Sequence, residues 1–231
     1  MNISPIDNLG RYFDHSLLRP ETDLRGIMNL CHEAIEFGCF GIAINPYWVK
    51  AARVELANSG VKIISVSGFP LSANRTDVKV IEAIKGVEDG ADEIDMVANI
   101  GLLASGEFDL VEKEISEVRR NLPESIILKV IIEAPRLSAE AQIGAVTAVI
   151  NGGAQFVKTA TGFFGGATVE IVKRLKEASS SKIKLKASGG IRTLRDTIEL
   201  INAGADRIGS SSSVEIIKEN LRLLREPIRS N

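Results

Sequence analysis

A lysine inside an apolar strand is the residue of this sequence with the clearest chemical potential. Residues 155–166 read Gln-Phe-Val-Lys-Thr-Ala-Thr-Gly-Phe-Phe-Gly-Gly, and their alternation predicts a strand with Lys158 on the face opposite Val157 and Thr159. An ammonium group buried without a partner is costly, so such a lysine pairs with an acid or loses its proton. A neutral amine attacks carbonyl groups and forms Schiff bases. The simpler alternative is an edge-strand lysine in water, and this segment alone does not decide between the two.

Short apolar strands alternate with amphipathic helices along the chain. Eight such units in 231 residues predict a closed (β/α)8 TIM barrel, a single α/β domain over residues 1–231. The absence of a Gly-x-Gly-x-x-Gly fingerprint weakens the alternative of an open doubly wound sheet. Helix-ending glycines precede several strands, at positions 38, 60, 90, 153 and 204. The predicted strands are residues 11–17, 40–44, 62–66, 93–98, 126–133, 155–160, 182–187 and 206–209.

Charged residues late in the predicted strands form one candidate site, because catalytic groups of TIM barrels lie at the carboxyl ends of the strands. Three lysines share a face of the seventh strand. Lys184, near its middle, is expected to need an acid such as Glu93, whereas Lys186 at its end is expected to reach the site. A solvated lysine face is the alternative. The candidates are Asp14 and Ser16 on one face of the first strand, Asp95, Lys129 and Glu133 on one face of the fifth strand, Lys158, and Lys186.

Two glycine-rich turns follow the last two predicted strands, and each is expected to lead directly into a helix. They read Ser-Gly-Gly-Ile-Arg-Thr from position 188 and Gly-Ser-Ser-Ser from position 209. Backbone amides at helix N-termini bind anions, and TIM barrels often hold a substrate phosphate at this position. Either turn alone is compatible with an ordinary loop, but the two together favour a phosphate site. Lysines, a carboxylate and a phosphate site describe Schiff-base chemistry on a phosphorylated aldehyde or ketone.

Composition argues against several other classes of protein. The net charge is −2 with both signs interspersed, which gives no electrostatic case for nucleic acid or an anionic membrane as partner. No apolar run approaches the roughly 20 residues that span a bilayer, and no export signal is evident, so a cytoplasmic protein is expected. The two histidines and two cysteines form no metal-binding or CxxC pattern. A metal site built on histidines is therefore not expected.

Five motifs resemble those of the deoxyribose-phosphate aldolases, in the same order and across nearly the whole chain. They are Asp14-His-Ser-Leu-Leu, Gly90-Ala-Asp-Glu-Ile-Asp-Met-Val-Ala-Asn-Ile-Gly, Lys129-Val-Ile-Ile-Glu, Phe156-Val-Lys-Thr-Ala-Thr-Gly-Phe and Lys186-Ala-Ser-Gly-Gly-Ile-Arg-Thr. The resemblance implies a TIM barrel that reversibly cleaves the phosphosugar 2-deoxy-D-ribose 5-phosphate to acetaldehyde and glyceraldehyde 3-phosphate without a cofactor. It implies Lys158 as the Schiff-base lysine and Asp95 with Lys186 as the proton-transfer pair, with Asp14 and Lys129 in support. It implies phosphate binding at Gly162, Gly189, Gly190, Gly209 and Ser211.

The chain departs from the pattern of these relatives in three places. Ala43 stands where many have a cysteine, Phe163 where some have a lysine, and the tail 225–231 contains no tyrosine. Alternative functions are another Schiff-base lyase, such as a transaldolase-like or 2-keto-3-deoxy acid aldolase, a phosphosugar isomerase, and a non-catalytic phosphosugar-binding barrel. A homo-oligomer is compatible with the sequence, which does not fix the number of subunits.

Overall fold

Eight parallel strands form a closed barrel in chain order, β1 to β8, in the computed structural model, which describes residues 4–225. The barrel closes where β1 pairs with β8, with Phe13 opposite Ile208. The predicted TIM barrel is confirmed. The strands are β1 Phe13–Leu17, β2 Gly41–Ile44, β3 Lys62–Ser67, β4 Glu93–Val97, β5 Ile127–Ile131, β6 Phe156–Lys158, β7 Lys184–Ser188 and β8 Arg207–Ser210.

Nine α-helices connect or follow these strands within the described range. None of them is long and apolar enough to cross a membrane. Short 3₁₀ turns at Leu9–Tyr12, Pro46–Trp48 and Ala134–Arg136 complete the connections. The helices are α1 Leu24–Glu36, α2 Val49–Glu55, α3 Thr76–Glu88, α4 Ile100–Ala104, α5 Phe108–Arg120, α6 Ala139–Asn151, α7 Val169–Ser179, α8 Leu194–Asn202 and α9 Ser213–Arg225.

Local sequence signals explain where many of these elements begin and end. The side chains of Ser138 and Thr168 accept hydrogen bonds from the first turns of α6 and α7, as expected of N-cap residues. The five glycines predicted to end helices all have positive φ, from 62° to 111°, a conformation that glycine adopts without steric cost. These caps and glycines set the lengths of the helices and therefore the places where the strands start.

The strands present one set of side chains to the helices and another to the barrel interior. In β7, Leu185 and Ala187 belong to the apolar core under the helices, whereas Lys186 between them faces inward. The interior is divided in composition. Strands β2 and β3 fill their part with buried apolar or small residues, including Ala43 and Ile64, and the charged side chains come from the other strands. The fold therefore concentrates buried charge on one side of the barrel.

The observed strand ends differ from the predicted ones by at most two residues, and one difference changes an expectation. Ser180 and Ser181 after α7 both have positive φ, and β7 starts only at Lys184. Lys184 is consequently exposed at the amino end of the strand rather than near its middle. The expectation that it pairs with Glu93 is wrong, because Glu93 contacts Lys129 at 2.6 Å.

Candidate active site

Three lysine amines converge on one carboxylate inside the barrel. Asp95 Oδ2 lies 2.8 Å from the Nζ atoms of both Lys158 and Lys186, and Asp95 Oδ1 lies 2.6 Å from Lys129 Nζ. Asp95, Lys129 and Lys186 are fully buried, and Lys158 is 3% exposed. The structure thus brings together all four of these candidate residues. Lys158 is therefore not an edge-strand lysine exposed to water.

Strand register explains why these side chains meet. Asp95 of β4 is paired directly with Lys129 of β5, and Lys158 of β6 is paired with Lys186 of β7. Inward-facing residues at such positions lie on neighbouring strands at nearly the same height. The long lysine side chains then span the interior to Asp95. The cluster is therefore a direct product of the barrel's register.

A second buried carboxylate lies on the far side of Lys186. Asp14 of β1 contacts the amine of Lys186 through Oδ2, and its Oδ1 lies 2.8 Å from Arg207 Nη1. Asp14 is therefore within the same charged cluster, as its candidate status suggested. Lys186 itself is fully buried between two carboxylates, deeper in the barrel than its predicted position at the strand end.

Glu133 does not share a strand face with Lys129, contrary to expectation. The strand β5 ends at Ile131, and Glu133 has a left-handed backbone with φ of 50°. Its buried side chain accepts a hydrogen bond of 3.0 Å from the backbone amide of Thr161. Glu133 therefore holds the loop that follows β6 and does not reach the lysine cluster through the strand.

Burial and neighbouring charge act on the basicity of the cluster. Burial, opposed by Asp95 but aided by the positive charge of Lys186, lowers the pKa of Lys158 to about 8. Burial also acts against the ionised form of Asp95, but Lys129, Lys158 and Lys186 prevail and hold the pKa of Asp95 well below its usual range. Lys129 is the opposite case to Lys158: despite burial, Asp95, Glu93 and Asp14 raise the pKa of its amine. Of the two, only Lys158 is positioned to be neutral near physiological pH.

A cavity of about 250 Å³ opens beside Lys158 at the carboxyl ends of β1, β6, β7 and β8. All five residues expected to bind phosphate line it, together with two arginines, Arg19 and Arg192. None of the lining residues within the described range is a carboxylate. The lining includes Ser16, Leu18, Arg19, Lys158, Thr161, Gly162, Phe163, Ser188, Gly189, Gly190, Arg192, Gly209, Ser210 and Ser211. The cavity therefore joins a reactive amine to a wall suited to an anion.

The glycine loops on this wall approach each other too closely for side chains. A Cβ atom at Gly189 would lie 2.8 Å from the carbonyl oxygen of Gly165, and one at Gly166 would lie 2.3 Å from the carbonyl oxygen of Gly189. A Cβ atom at Gly190, in contrast, would meet no atom within 4 Å, although its φ of +72° favours glycine. The loop after β6 and the loop after β7 are thus packed backbone to backbone. Gly190 faces open space.

Both glycine-rich turns lead directly into helices, as expected, because residues 188–193 end at α8 and residues 209–212 end at α9. Ser211 is two residues from α9, which begins at Ser213. Gly190 lies further away, because α8 begins at Leu194 and Thr193 caps it by accepting from Asp196 N at 3.1 Å. The wall at Gly190 is therefore formed by loop backbone and not by a helix terminus.

Two further groups of residues shape the site and were not identified as site residues from the sequence. Thr159 and Ser188 join β6 to β7 through a reciprocal pair of 3.0 Å hydrogen bonds involving Thr159 Oγ1. Phe163 packs edge-on against Phe69, with ring centroids 5.5 Å apart, and so links the loops after β6 and β3. For Thr159 and Ser188, the sequence signal is the alternation along β6, which places Thr159 on the strand face opposite Lys158. The second is a contact between distant loops, which no local pattern indicates.

The carboxylates of the cluster are occupied by cations of the chain itself. Within residues 4–225, no group of three or more His, Cys, Asp and Glu side chains is arranged to hold a metal ion. The chemistry available from the described side chains is that of amines and carboxylates, with an amine of lowered pKa, Lys158, at its centre.

Comparison with known sequences gives consistent family matches. The model of the DeoC/LacD family aldolases matches residues 10–218. A deoxyribose-phosphate aldolase from Clostridium kluyveri is 47% identical over 212 residues, covering 91% of this chain and 97% of the relative. One from Thermococcus gammatolerans is 46% identical over 215 residues, covering 91% of this chain and 96% of the relative.

Solved structures give the same result. The aldolase QR15 is 41% identical and superposes with a TM-score of 0.90, covering 96% of this chain and 100% of that one. The deoxyribose-phosphate aldolase of Aeropyrum pernix, described as a unique tetrameric structure, is 32% identical with a TM-score of 0.85, covering 93% of this chain and 92% of that one. The resemblance read from the motifs is confirmed: the chain belongs to the DeoC/LacD family of aldolases.

Proposed function

We propose that this chain is a class I aldolase that reversibly cleaves 2-deoxy-D-ribose 5-phosphate to acetaldehyde and D-glyceraldehyde 3-phosphate. The observation that carries the proposal is the buried amine of Lys158, which lies beside an anion-compatible cavity with a pKa of about 8. The names of the curated relatives support the choice of substrate.

Lys158 is the proposed nucleophile. With a pKa of about 8, roughly a tenth of its amine is neutral at pH 7, against about one in three thousand at its ordinary value of 10.5. The neutral amine attacks the aldehyde carbon of the open-chain sugar, and loss of water gives an iminium ion. The iminium then withdraws electrons from the bond between the second and third carbons of the sugar.

Asp95 and Lys186 are the proposed proton-transfer pair. Removal of the hydroxyl proton on the third carbon lets that bond break, releasing glyceraldehyde 3-phosphate and leaving an enamine on Lys158. Asp95 is ionised and touches both amines, so it can accept this proton. Asp95, which stays paired with Lys186, holds this proton only briefly because its pKa is so low, and delivers it to the enamine carbon. Protonation of the enamine and hydrolysis of the imine then release acetaldehyde and regenerate Lys158.

Reductive trapping tests the assignment of the nucleophile. Borohydride added with deoxyribose 5-phosphate is expected to inactivate the enzyme and to add the mass of a reduced imine to the peptide that contains Lys158. Peptide mass mapping is the measurement, and borohydride without substrate is the control. Exclusive labelling of Lys129 or Lys186, or an active preparation with no label, would overturn the assignment.

Trapping also separates this proposal from the alternatives. A phosphosugar isomerase and a non-catalytic binding barrel form no covalent bond to Lys158, so neither is labelled. Another Schiff-base lyase is labelled but releases a different product, which identification of the freed aldehyde as acetaldehyde excludes. The convergence of Lys158, Lys186 and Asp95 favours the lyase, because an isomerase has no need of a buried amine nucleophile.

The loops around Gly189 and Gly190 are the proposed phosphate-binding site, together with Gly162, Gly209 and Ser211. Charge-assisted hydrogen bonds to phosphate contribute roughly 1.5–3 kcal/mol each. Unphosphorylated deoxyribose should therefore be a much poorer substrate than its 5-phosphate. The absence of a carboxylate among the lining residues of the described range and the presence of Arg19 and Arg192 support an anion at this wall.

Gly190→Asp is expected to reduce kcat/KM for deoxyribose 5-phosphate at least tenfold more than for deoxyribose, because a carboxylate would repel the phosphate. Gly190→Ala is the matched control: it imposes the same positive-φ strain without the charge, and there is room for its Cβ atom. Steady-state kinetics of both variants on both sugars is the measurement. Equal losses on the two sugars in Gly190→Asp would mean that this loop does not hold the phosphate.

We further propose a homo-oligomer whose contact surface includes exposed apolar residues of α3. Val78 and Ile81 lie one turn apart on that helix and are 45% and 59% exposed. Leu71, in the loop before it, is 62% exposed. Apolar groups clustered on a surface commonly mark an interface. The tetrameric Aeropyrum pernix relative supports the idea, and a monomeric mass by light scattering would contradict it.

A reducing, cytoplasmic setting is proposed for the protein, with the whole chain of residues 1–231 as one catalytic domain. Cys31 and Cys39 are free and buried, and burial raises the pKa of each thiol to about 12. Such thiols behave as small core side chains. The tyrosine-free tail noted in the sequence lies, from residue 226 onward, outside the described residues.

A further inference from the structure

The charged cluster extends past Asp95 to the opposite end of the barrel. Lys129 contacts Glu93 at 2.6 Å as well as Asp95, and the guanidinium Nη1 of Arg207 lies 3.9 Å from Glu93 Oε2. Arg207 also contacts Asp14 at 2.8 Å, and Asp14 contacts Lys186. The contacts therefore close on themselves. We call this the ion ring, which runs through Asp95, Lys129, Glu93, Arg207, Asp14 and Lys186 in that order.

The ion ring alternates in sign and is neutral when all its members are ionised. Lys129, Arg207 and Lys186 supply three positive charges, and Asp95, Glu93 and Asp14 supply three negative ones. The Lys158 ammonium lies 2.8 Å from Asp95 and is a seventh charge, which the ring does not balance. In a buried site an unbalanced ammonium is costly, and loss of its proton removes the imbalance.

Arg207 is fixed in this ring by packing as well as by charge. Its guanidinium lies 3.3 Å from the centroid of the Phe40 ring and 5.7 Å from that of Phe156. Arg207 is 8% exposed and Glu93 is 5% exposed, so solvent screens their charges only weakly. Neither residue lines the cavity beside Lys158. Any effect on the reaction must therefore be indirect, through the charge of the ring or through packing.

We propose that Glu93 and Arg207 are positioning residues that complete a neutral ion ring, so that the ring itself leaves the proton of Lys158 without a balancing charge. This inference rests on the proposed function of Lys158 as the Schiff-base nucleophile. It assigns a role in amine activation to two residues at the end of the barrel remote from the substrate.

Every charged group around Lys158 contributes to the way in which the loss of one ring charge changes protonation of its amine. Asp95, Lys129 and Lys186 approach it from β4, β5 and β7, and Asp14 lies behind Lys186. Strands β2 and β3 contribute no charged side chain to the buried interior of the described barrel. Glu133, beyond β5, is bound to the Thr161 amide. Loss of one charge from the ring therefore leaves an imbalance whose sign decides the effect on Lys158.

The test compares variants of opposite charge change. Arg207→Met leaves the ring negative, favours the Lys158 ammonium, and should move the acid limb of imine formation to higher pH by about one unit. Glu93→Gln leaves the ring positive and should move it to lower pH by a similar amount. The measurement is the pH dependence of the rate at which acetaldehyde with cyanoborohydride labels Lys158, followed by peptide mass mapping. Acetaldehyde carries no phosphate, so the glycine loops do not enter the measurement.

Two control variants separate ring charge from packing. Lys184→Met removes an exposed cation that, like Arg207, lies 5.7 Å from the Phe156 ring centroid, and should leave the acid limb in place. Arg207→Lys retains the charge, so its acid limb of imine formation should stay within about 0.3 pH unit of that of the unsubstituted enzyme. Glu93→Gln is isosteric and carries the test alone if Arg207→Met does not fold.

The outcomes distinguish this inference from the proposed function. Opposite shifts in Arg207→Met and Glu93→Gln, with no shift in Lys184→Met, would support it. Shifts of the same sign, or shifts no larger than that of Lys184→Met, would overturn it while leaving Lys158 as the nucleophile. If Lys158 of the unsubstituted enzyme is not labelled, the proposed function fails, and this inference fails with it.

Discussion

Lys158→Met is expected to reduce turnover of deoxyribose 5-phosphate at least about a thousandfold, because the substituted side chain cannot form an imine. Neither remaining amine of the cluster is a ready substitute. The pKa of Lys129 is raised by Asp95, Glu93 and Asp14. Lys186 lies between two carboxylates that fix it away from the cavity. Steady-state kinetics at pH 7 to 9 is the measurement.

The fold of Lys158→Met should persist, and its melting temperature should equal or exceed that of the unsubstituted protein. The substitution removes a buried amine whose protonated form is disfavoured and leaves Asp95 with two lysines. An exposed lysine of α7, Lys173, provides the control: Lys173→Met should retain full activity. Turnover above about one per cent in a correctly folded Lys158→Met variant would count against Lys158 as the nucleophile.

Lys186→Leu is expected to lower turnover a hundredfold or more, the loss typical of removing a general acid–base group. Part of that loss has an electrostatic origin. The Lys186 ammonium lowers the pKa of Lys158, so its removal raises that pKa and reduces the neutral amine at pH 7. The pH optimum should consequently move upward, and some activity should return at higher pH. A full pH–rate profile measures both effects.

Lys186→Arg separates the two contributions. It keeps the positive charge near Lys158, so its pH optimum should stay near that of the unsubstituted enzyme even if its turnover is low. The barrel should remain folded in Lys186→Leu, because Asp14 still forms its ion pair with Arg207 and Asp95 still forms its ion pair with Lys129. Circular dichroism would verify this. Near-normal turnover in Lys186→Leu, or a modest loss with an unchanged pH profile, would exclude the proposed role.

The barrel was predictable from sequence because its signals are local and repeated. Alternating strand residues, helix caps and helix-ending glycines recur in each unit, and eight repeats determine a closed architecture even when single boundaries are uncertain. The rule that strand ends carry the chemistry then pointed to Asp95, Lys158 and Lys186. The observed convergence of three amines on Asp95 needed only the inward alternation of β4, β5, β6 and β7 in addition.

Features that depend on exact register or on contacts between distant segments were not predictable. Two serines with positive φ delay the start of β7, which places Lys184 in solvent and Lys186 deep in the barrel. The predicted pairing of Glu93 with Lys184 is wrong for the same reason, and Glu93 contacts Lys129 instead. The role of Arg207 depends on β1 meeting β8, a contact between residues 193 positions apart in the chain. Alternation along one strand does not contain that information.

Closure of the barrel has a consequence for when the amine becomes reactive. Asp14 is on the first strand and Arg207 on the last, so the bond between them forms only when the two ends of the chain meet. Before that step, a lysine at position 158 is hydrated and has ordinary basicity. Assembly and chemical activation are then a single event. An unfolded chain therefore lacks the activated amine, and we expect amine reactivity at this position to report that the last strand has docked.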